Sequence, residues 1–134
     1  MSRILSLCLV LLASFCLVTA AQAEEISNEF FVLNVPSGWQ KTISPTQANG
    51  ALVVLVQNPK EKVVVSVSIT PVKMPAKQLA EVTAKNMQAG GFTVAKPVQQ
   101  GDTYTVEFKQ NAQNTSGIHY FSSNGERGGV VTIM

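Results

Sequence analysis

His119 is the only histidine of the 134-residue chain, and its two cysteines, Cys8 and Cys16, both lie in the apolar N-terminal stretch. A histidine beside a thiol would read as an activated nucleophile, and several together as a metal centre. With the cysteines confined to the leader, neither can be assembled from the rest of the chain. A Ser-His-Asp arrangement from His119, Asp102 and some serine remains open, but no G-x-S-x-G turn accompanies it. His119 alternates with Ile118 and Tyr120, which reads as a half-exposed strand position.

The carboxylates are equally sparse. Glu24, Glu25 and Glu29 cluster near one another, Glu61 sits in a polar loop, and Glu107 falls on the polar side of an alternating run. Glu81 lies between Lys77 and Lys85 at helical spacing, where pairing with the lysine four residues on supports a helix by about 0.2–0.5 kcal/mol. No two carboxylates stand at a spacing that suggests an acid and base pair. Gly90-Gly91 and Gly128-Gly129 lack the strand and lysine context of a phosphate loop. The expectation is a non-enzymatic chain with no catalytic residue, no metal site and no cofactor.

Three further residues suit binding of a ligand or partner as well as a structural role. Trp39 follows a Pro36-Ser37-Gly38 turn, where a tryptophan either plugs a sheet edge or contacts a ligand. Asn86 falls within the apolar stripe of a helical pattern, where its amide must bond backbone or line a polar pocket. Arg127, beside Glu126, reads either as a surface ion pair or as an anion contact. With His119 these make the candidate set of ligand- or partner-binding residues.

The elements that must position them follow from periodicity. Met1 to Ala23 carries one charge, Arg3, then an apolar run from Ile4 to Val18 and the small-residue stretch Ala21-Gln22-Ala23. This is the pattern of a secretory signal peptide, with cleavage expected after Ala23 and export to the periplasm or medium. The leucine and phenylalanine before the two cysteines do not suit lipid attachment. One domain, Glu24 to Met134, remains. It has no cysteine to form a disulfide, so a packed core must hold it. The formal net charge of +2 falls by one unit with the loss of Arg3. Near neutrality gives no case for nucleic acid or for an anionic membrane surface.

Within that domain Glu29 to Trp39 reads as a strand with apolar residues on both sides, and Lys41 to Gly50 as a polar loop with at most a short strand at its start. Ala51 to Gln57 and Val63 to Thr70 form a strand pair joined by the polar Asn58 to Lys62 loop. Pro75 to Gly90 is the one main helix. Ala76, Leu79, Val82, Thr83, Asn86 and Met87 share a side, Pro75 suits its first position and Gly90-Gly91 its end. Phe92 to Val98 is a weaker strand carrying Pro97. Thr103 to Gln110 alternates cleanly, with Tyr104, Val106 and Phe108 inward and a wet face opposite. Asn111 to Gly117 is a polar loop holding the sequon Asn114-Thr115-Ser116, and Ile118 to Ser123 with Gly129 to Met134 make a hairpin through Asn124-Gly125.

The result is an α+β chain in β-β-β-α-β-β-β-β order, with a mostly antiparallel sheet of about six or seven strands and the helix packed on one face. Val35-Pro36-Ser37-Gly38-Trp39, then a hairpin, then a helix ending in Gly-Gly-Phe, then a meander resembles the PsbP/Mog1-like superfamily, including small DcrB-like periplasmic proteins. The resemblance covers the element order of the whole exported domain. It implies an accessory, non-enzymatic protein of the cell envelope that acts on a protein partner. Members place helices on both faces of the sheet, whereas only one helix is expected here. The second face therefore expects cover from the Ser44 to Gly50 loop, a second copy or another protein. The competing reading is a small-ligand site, or a hydrolase, with a pocket near Trp39, Asn86 and His119.

Overall fold

In the computed structural model residues 23–44 and 48–134 are described. The expected signal segment, save Ala23, and positions 45–47 of the polar loop lie outside them. The chain divides into two compact units, Met1–Gly38 and Trp39–Met134.

The described part of the first unit is a hairpin. Strand β1 (Glu24–Ser27) pairs antiparallel with β2 (Val32–Val35), setting Ile26 opposite Leu33 and Glu24 opposite Val35. Asn28 makes the turn, its side-chain oxygen accepting from the backbone N–H groups of Phe30 and Phe31 at 2.9 and 3.1 Å. The strand expected over Glu29 to Trp39 is thus shorter, and its partner is Glu24–Ser27. The sequence gives that partner no periodic signal, because two acids and a serine surround its single apolar residue.

Among its described residues the second unit is an antiparallel sheet of eight strands with one α-helix. Its strands are β3 (Gln40–Ile43), β4 (Leu52–Asn58), β5 (Val63–Thr70), β6 (Thr93–Val94), β7 (Val98–Gln100), β8 (Thr103–Gln110), β9 (Thr115–Ser123) and β10 (Gly128–Ile133). They lie in the order β3-β4-β5-β10-β9-β8-β6, with β7 also on β8. The α+β class and the helix between β5 and β6 are as expected from the periods. The weak strand carrying Pro97 splits into β6 and β7, because proline has no N–H for the ladder. Between the two, Ala95 still donates to Glu107 O at 2.9 Å. The polar stretch after β8 is a 3-10 turn, Asn111–Gln113, and β9 begins earlier than its apolar residues indicate.

Helix α1 (Ala76–Ala89) rests on the first face of the sheet against β8, β9 and β6. Pro75 is its N-cap, in extended conformation, one place before the helical position that its ring also suits. The C-terminus is closed as the glycines predict. Gly91 takes φ +91°, Phe92 N–H donates to Met87 O at 3.0 Å, and Gly91 N–H to Gln88 O at 3.1 Å. Gly91→Ala is expected to cost about 1–2 kcal/mol through backbone strain alone, since no atom lies within 4 Å of a Cβ built there. Gly90→Ala, at φ −83°, serves as the control. Equal thermal midpoints for the two would contradict this end geometry.

The face that α1 buries differs from the expected stripe. Ala80 and Ala84 are buried at its centre, with Leu79 beside them, while Val82 and Asn86 are exposed. Small residues win because they let the helix approach the sheet, where Val106, Phe121, Tyr104 and Val130 supply the bulk. Leu79 seats over Gly128, where a Cβ would meet its side chain at 2.8 Å. On the polar side Glu81 faces Lys77 at 4.0 Å, the lysine preceding it by four residues.

Candidate functional site

His119 projects from β9 onto the first face, in register with Val106 on β8 and Thr132 on β10. Alternation places Gly117, His119 and Phe121 on this face and Ile118 and Tyr120 on the other. The histidine is therefore beneath the helix side of the sheet. Its Nδ1 is 2.7 Å from Thr132 Oγ1, and its Nε2 is 3.1 Å from the sulfur of Met87 in the last turn of α1. Phe108 stacks on the imidazole at a centroid distance of 4.6 Å, and Phe121 lies tilted against it at 5.6 Å. Phe92 in turn packs edge-on against Phe108 at 5.9 Å.

This setting favours the neutral ring. Burial withdraws solvent from the imidazolium, so the pKa of His119 is lowered from its ordinary value near 6.5. The unfolded chain then binds a proton more readily than the folded one. This contribution to stability is complete above the unfolded pKa and is lost as pH falls through the folded pKa. The thermal midpoint is expected to fall on acidification below about pH 6.5, and His119→Gln is expected to flatten that part of the profile. A wild-type profile unchanged by the substitution would place the titration elsewhere.

The four candidate residues are not gathered into one pocket. Trp39 precedes edge strand β3, four strands from β9 in the sheet order, which is about 19 Å at the usual strand spacing. Asn86 points to solvent, which corrects its expected place in the buried stripe. An exposed amide is open to solvent, so its place on the helix requires neither a backbone partner nor a pocket. Arg127 lies in the β9–β10 turn and reaches Gly50 O with Nη1 at 3.4 Å, while its neighbour Glu126 faces Lys73 at 3.8 Å. Asp102 lies in the turn before β8, four residues ahead of Val106 and about 13 Å from the level of His119 at the rise of a strand. Both ring nitrogens of His119 already face Thr132 and Met87.

No family model matches this chain, and neither do any curated protein or solved structure. Its chemistry is accordingly a matter of its own geometry.

Two hollows escaped the periodic reading. One of about 660 Å³ opens at the N-terminus of α1, between Lys73, Lys77, Asp102 and Tyr104. There Ser123 Oγ donates to Met74 O at 2.7 Å and accepts from Gly125 N–H at 3.1 Å. The other, of about 190 Å³, lies on the second face between Val98, Ile118, Thr105 and Glu107. Thr105, expected on a wet face, is buried, whereas Glu107 and Lys109 are exposed. Its register neighbours Val98 and Tyr120 flank it and make that end of the face mixed in character. Among the described residues no three of the acidic, histidine or cysteine side chains converge as metal ligands. No described helix is long and apolar enough to cross a membrane.

Proposed function

We propose that this chain is an exported, non-enzymatic protein of the cell envelope that acts as a binding module for a protein partner through the second face of its sheet. The observation that carries this reading is where the sheet leaves its large aliphatic residues exposed. Ile43, Val98 and Ile133 are 50%, 54% and 38% exposed. By register with Val54, Thr105 and Ile118 all three lie on the second face. Val65, Ile69 and Val131 share that face and are half-buried, while its centre, Val54, Val56 and Val67, is buried. The only described helix of the unit lies on the first face. Ile43 and Val98 stand at opposite edges of the sheet and Ile133 in the strand between, so exposed apolar side chains flank a buried centre, and a protein partner or a second copy would bury them.

The order of strand pair, helix and meander, with Val35-Pro36-Ser37-Gly38-Trp39, also supports placing the chain in the PsbP/Mog1-like superfamily. The signal pattern before Glu24 supports export. The test compares the exported protein with an Ile43→Asp/Val98→Asp variant by light scattering and by retention of envelope proteins. Both positions are exposed, so the variant should keep its thermal midpoint. Loss of self-association or of a specific retained protein in the variant supports the reading. A wild-type monomer that binds no apolar dye and retains nothing the variant does not would overturn it.

A further inference from the structure

Strands β6 and β7 form one edge of the sheet, and that edge is not regular. Between the pairs Val94–Phe108 and Val98–Thr105, three residues, Ala95 to Pro97, stand opposite two, Val106 and Glu107. The extra residue makes a bulge, which bends an edge strand and interrupts its ladder. Beside it, on the second face, lies the hollow of about 190 Å³. Buried Thr105 and half-buried Ile118 line it, with exposed Val98, Lys96 and Glu107 around them. We infer that this hollow is the docking point for a second copy of the chain, related to the first by a two-fold axis. Val98 of each copy seats in the hollow of the other, and Lys96 of each faces Glu107 of the other. The inference rests on the partner-surface reading above and names the partner.

Size and edge geometry narrow the occupant. A volume of about 190 Å³ falls short of the about 300–1,000 Å³ usual for small-molecule sites, and suits a single side chain. The bulge also blunts the edge against an added strand, so contact is made through the face.

Self-complementarity then selects a second copy. A two-fold contact brings one patch against itself, so whatever protrudes or carries charge must find its counterpart in the same patch. Here an exposed valine adjoins a recess, and a lysine and a glutamate border that recess together. Neither Lys96 nor Glu107 is in an ion pair among the described residues, so each is available to its opposite. Ile133, opposite Ile118 in register and also exposed, extends the apolar contact toward the middle of the sheet. Near-neutral net charge leaves little long-range repulsion between copies.

The test is sedimentation of the exported protein over a range of concentration and salt. The expected wild type is a reversible dimer that weakens as salt rises. Lys96→Glu and Glu107→Lys should each weaken it at least about tenfold, because like charges then face each other. Both side chains are exposed, so the thermal midpoints should hold. An equal mixture of the two variants should associate again, since every facing pair is then opposite in sign. A wild-type monomer, a dimer indifferent to both substitutions, or a mixture that stays monomeric would overturn the inference. A wild-type monomer that still retains an envelope protein, and loses it in the Ile43→Asp/Val98→Asp variant, would overturn the second copy as partner while upholding the partner surface itself.

Discussion

Phe121→Ala is expected to remove about 3–5 kcal/mol of stability, the usual cost of deleting a buried phenyl ring. Phe121 is 0% exposed and is in the same core cluster as Ala80, Ala84 and Val106, with its ring against His119. The two alanines that meet it are small and backbone-attached, so the helix cannot fill the vacancy without leaving its seat. A domain of this size has about 5–15 kcal/mol in total, so the variant should lie close to its unfolding threshold at physiological temperature. Urea unfolding followed by Trp39 fluorescence measures it, as a lower midpoint at unchanged slope. Val98→Ala, at an exposed edge position, should change stability by no more than about 0.5 kcal/mol. A loss under about 1 kcal/mol at Phe121 would contradict the placement of α1 on β9.

The second large effect belongs to Gly117. A Cβ built there collides with the carbonyl oxygen of Ile133 and stands 2.6 Å from Phe108 Cζ and 3.1 Å from Met134 Cγ. Phe108 is the cross-strand partner of Gly117, so its ring occupies the space the glycine leaves and then stacks on His119 two residues along. Gly117→Ala must part β9 from the end of β10 and push the ring aside. The expected cost is about 1–3 kcal/mol, as for other overpacked sites. A specific signature should accompany it. With Phe108 displaced, His119 gains solvent and its pKa rises toward the ordinary value, which NMR titration of the ring reads directly. Destabilisation without that rise would mean that Phe108 does not control the histidine's environment.

These two residues show how far the alternation of apolar and polar residues reaches. The period of two in Val63–Thr70 and Thr103–Gln110 marks both strands to the residue and assigns Tyr104, Val106 and Phe108 to one side. Turn and cap chemistry is local too, which is why Gly91 and the Asn124-Gly125 corner occur where the sequence places them. The corner is nonetheless wider than a two-residue turn. Only Gly125 has positive φ, and Asn124 Oδ1 accepts from the N–H groups of Glu126 and Arg127. A side chain with a good backbone partner stabilised a longer loop than the dipeptide alone suggests.

The candidate site was legible only in part. His119 stands out because it is the sole histidine, but Met87, 32 residues away in the chain, and Thr132 carry no local signal that they meet it. Asn86 illustrates the reverse error. A helical wheel weighted by large apolar residues turns the stripe toward Val82 and Asn86, while close packing against a sheet is served by Ala80 and Ala84.

By itself the amino-acid sequence determined the α+β class, the helix after β5 and its glycine end, the bounds of β5 and β8, and the confinement of the thiols to Cys8 and Cys16. All of these depend on neighbours a few residues apart. Only the tertiary structure decided that the last strand, β10, lies in the middle of the sheet between β5 and β9, that Glu24–Ser27 pairs with Val32–Val35, and that His119 faces Met87. A period states which side of an element is apolar and leaves open which distant element will cover it. That choice rests on which long-range pairing buries the most surface at the least loss of chain entropy.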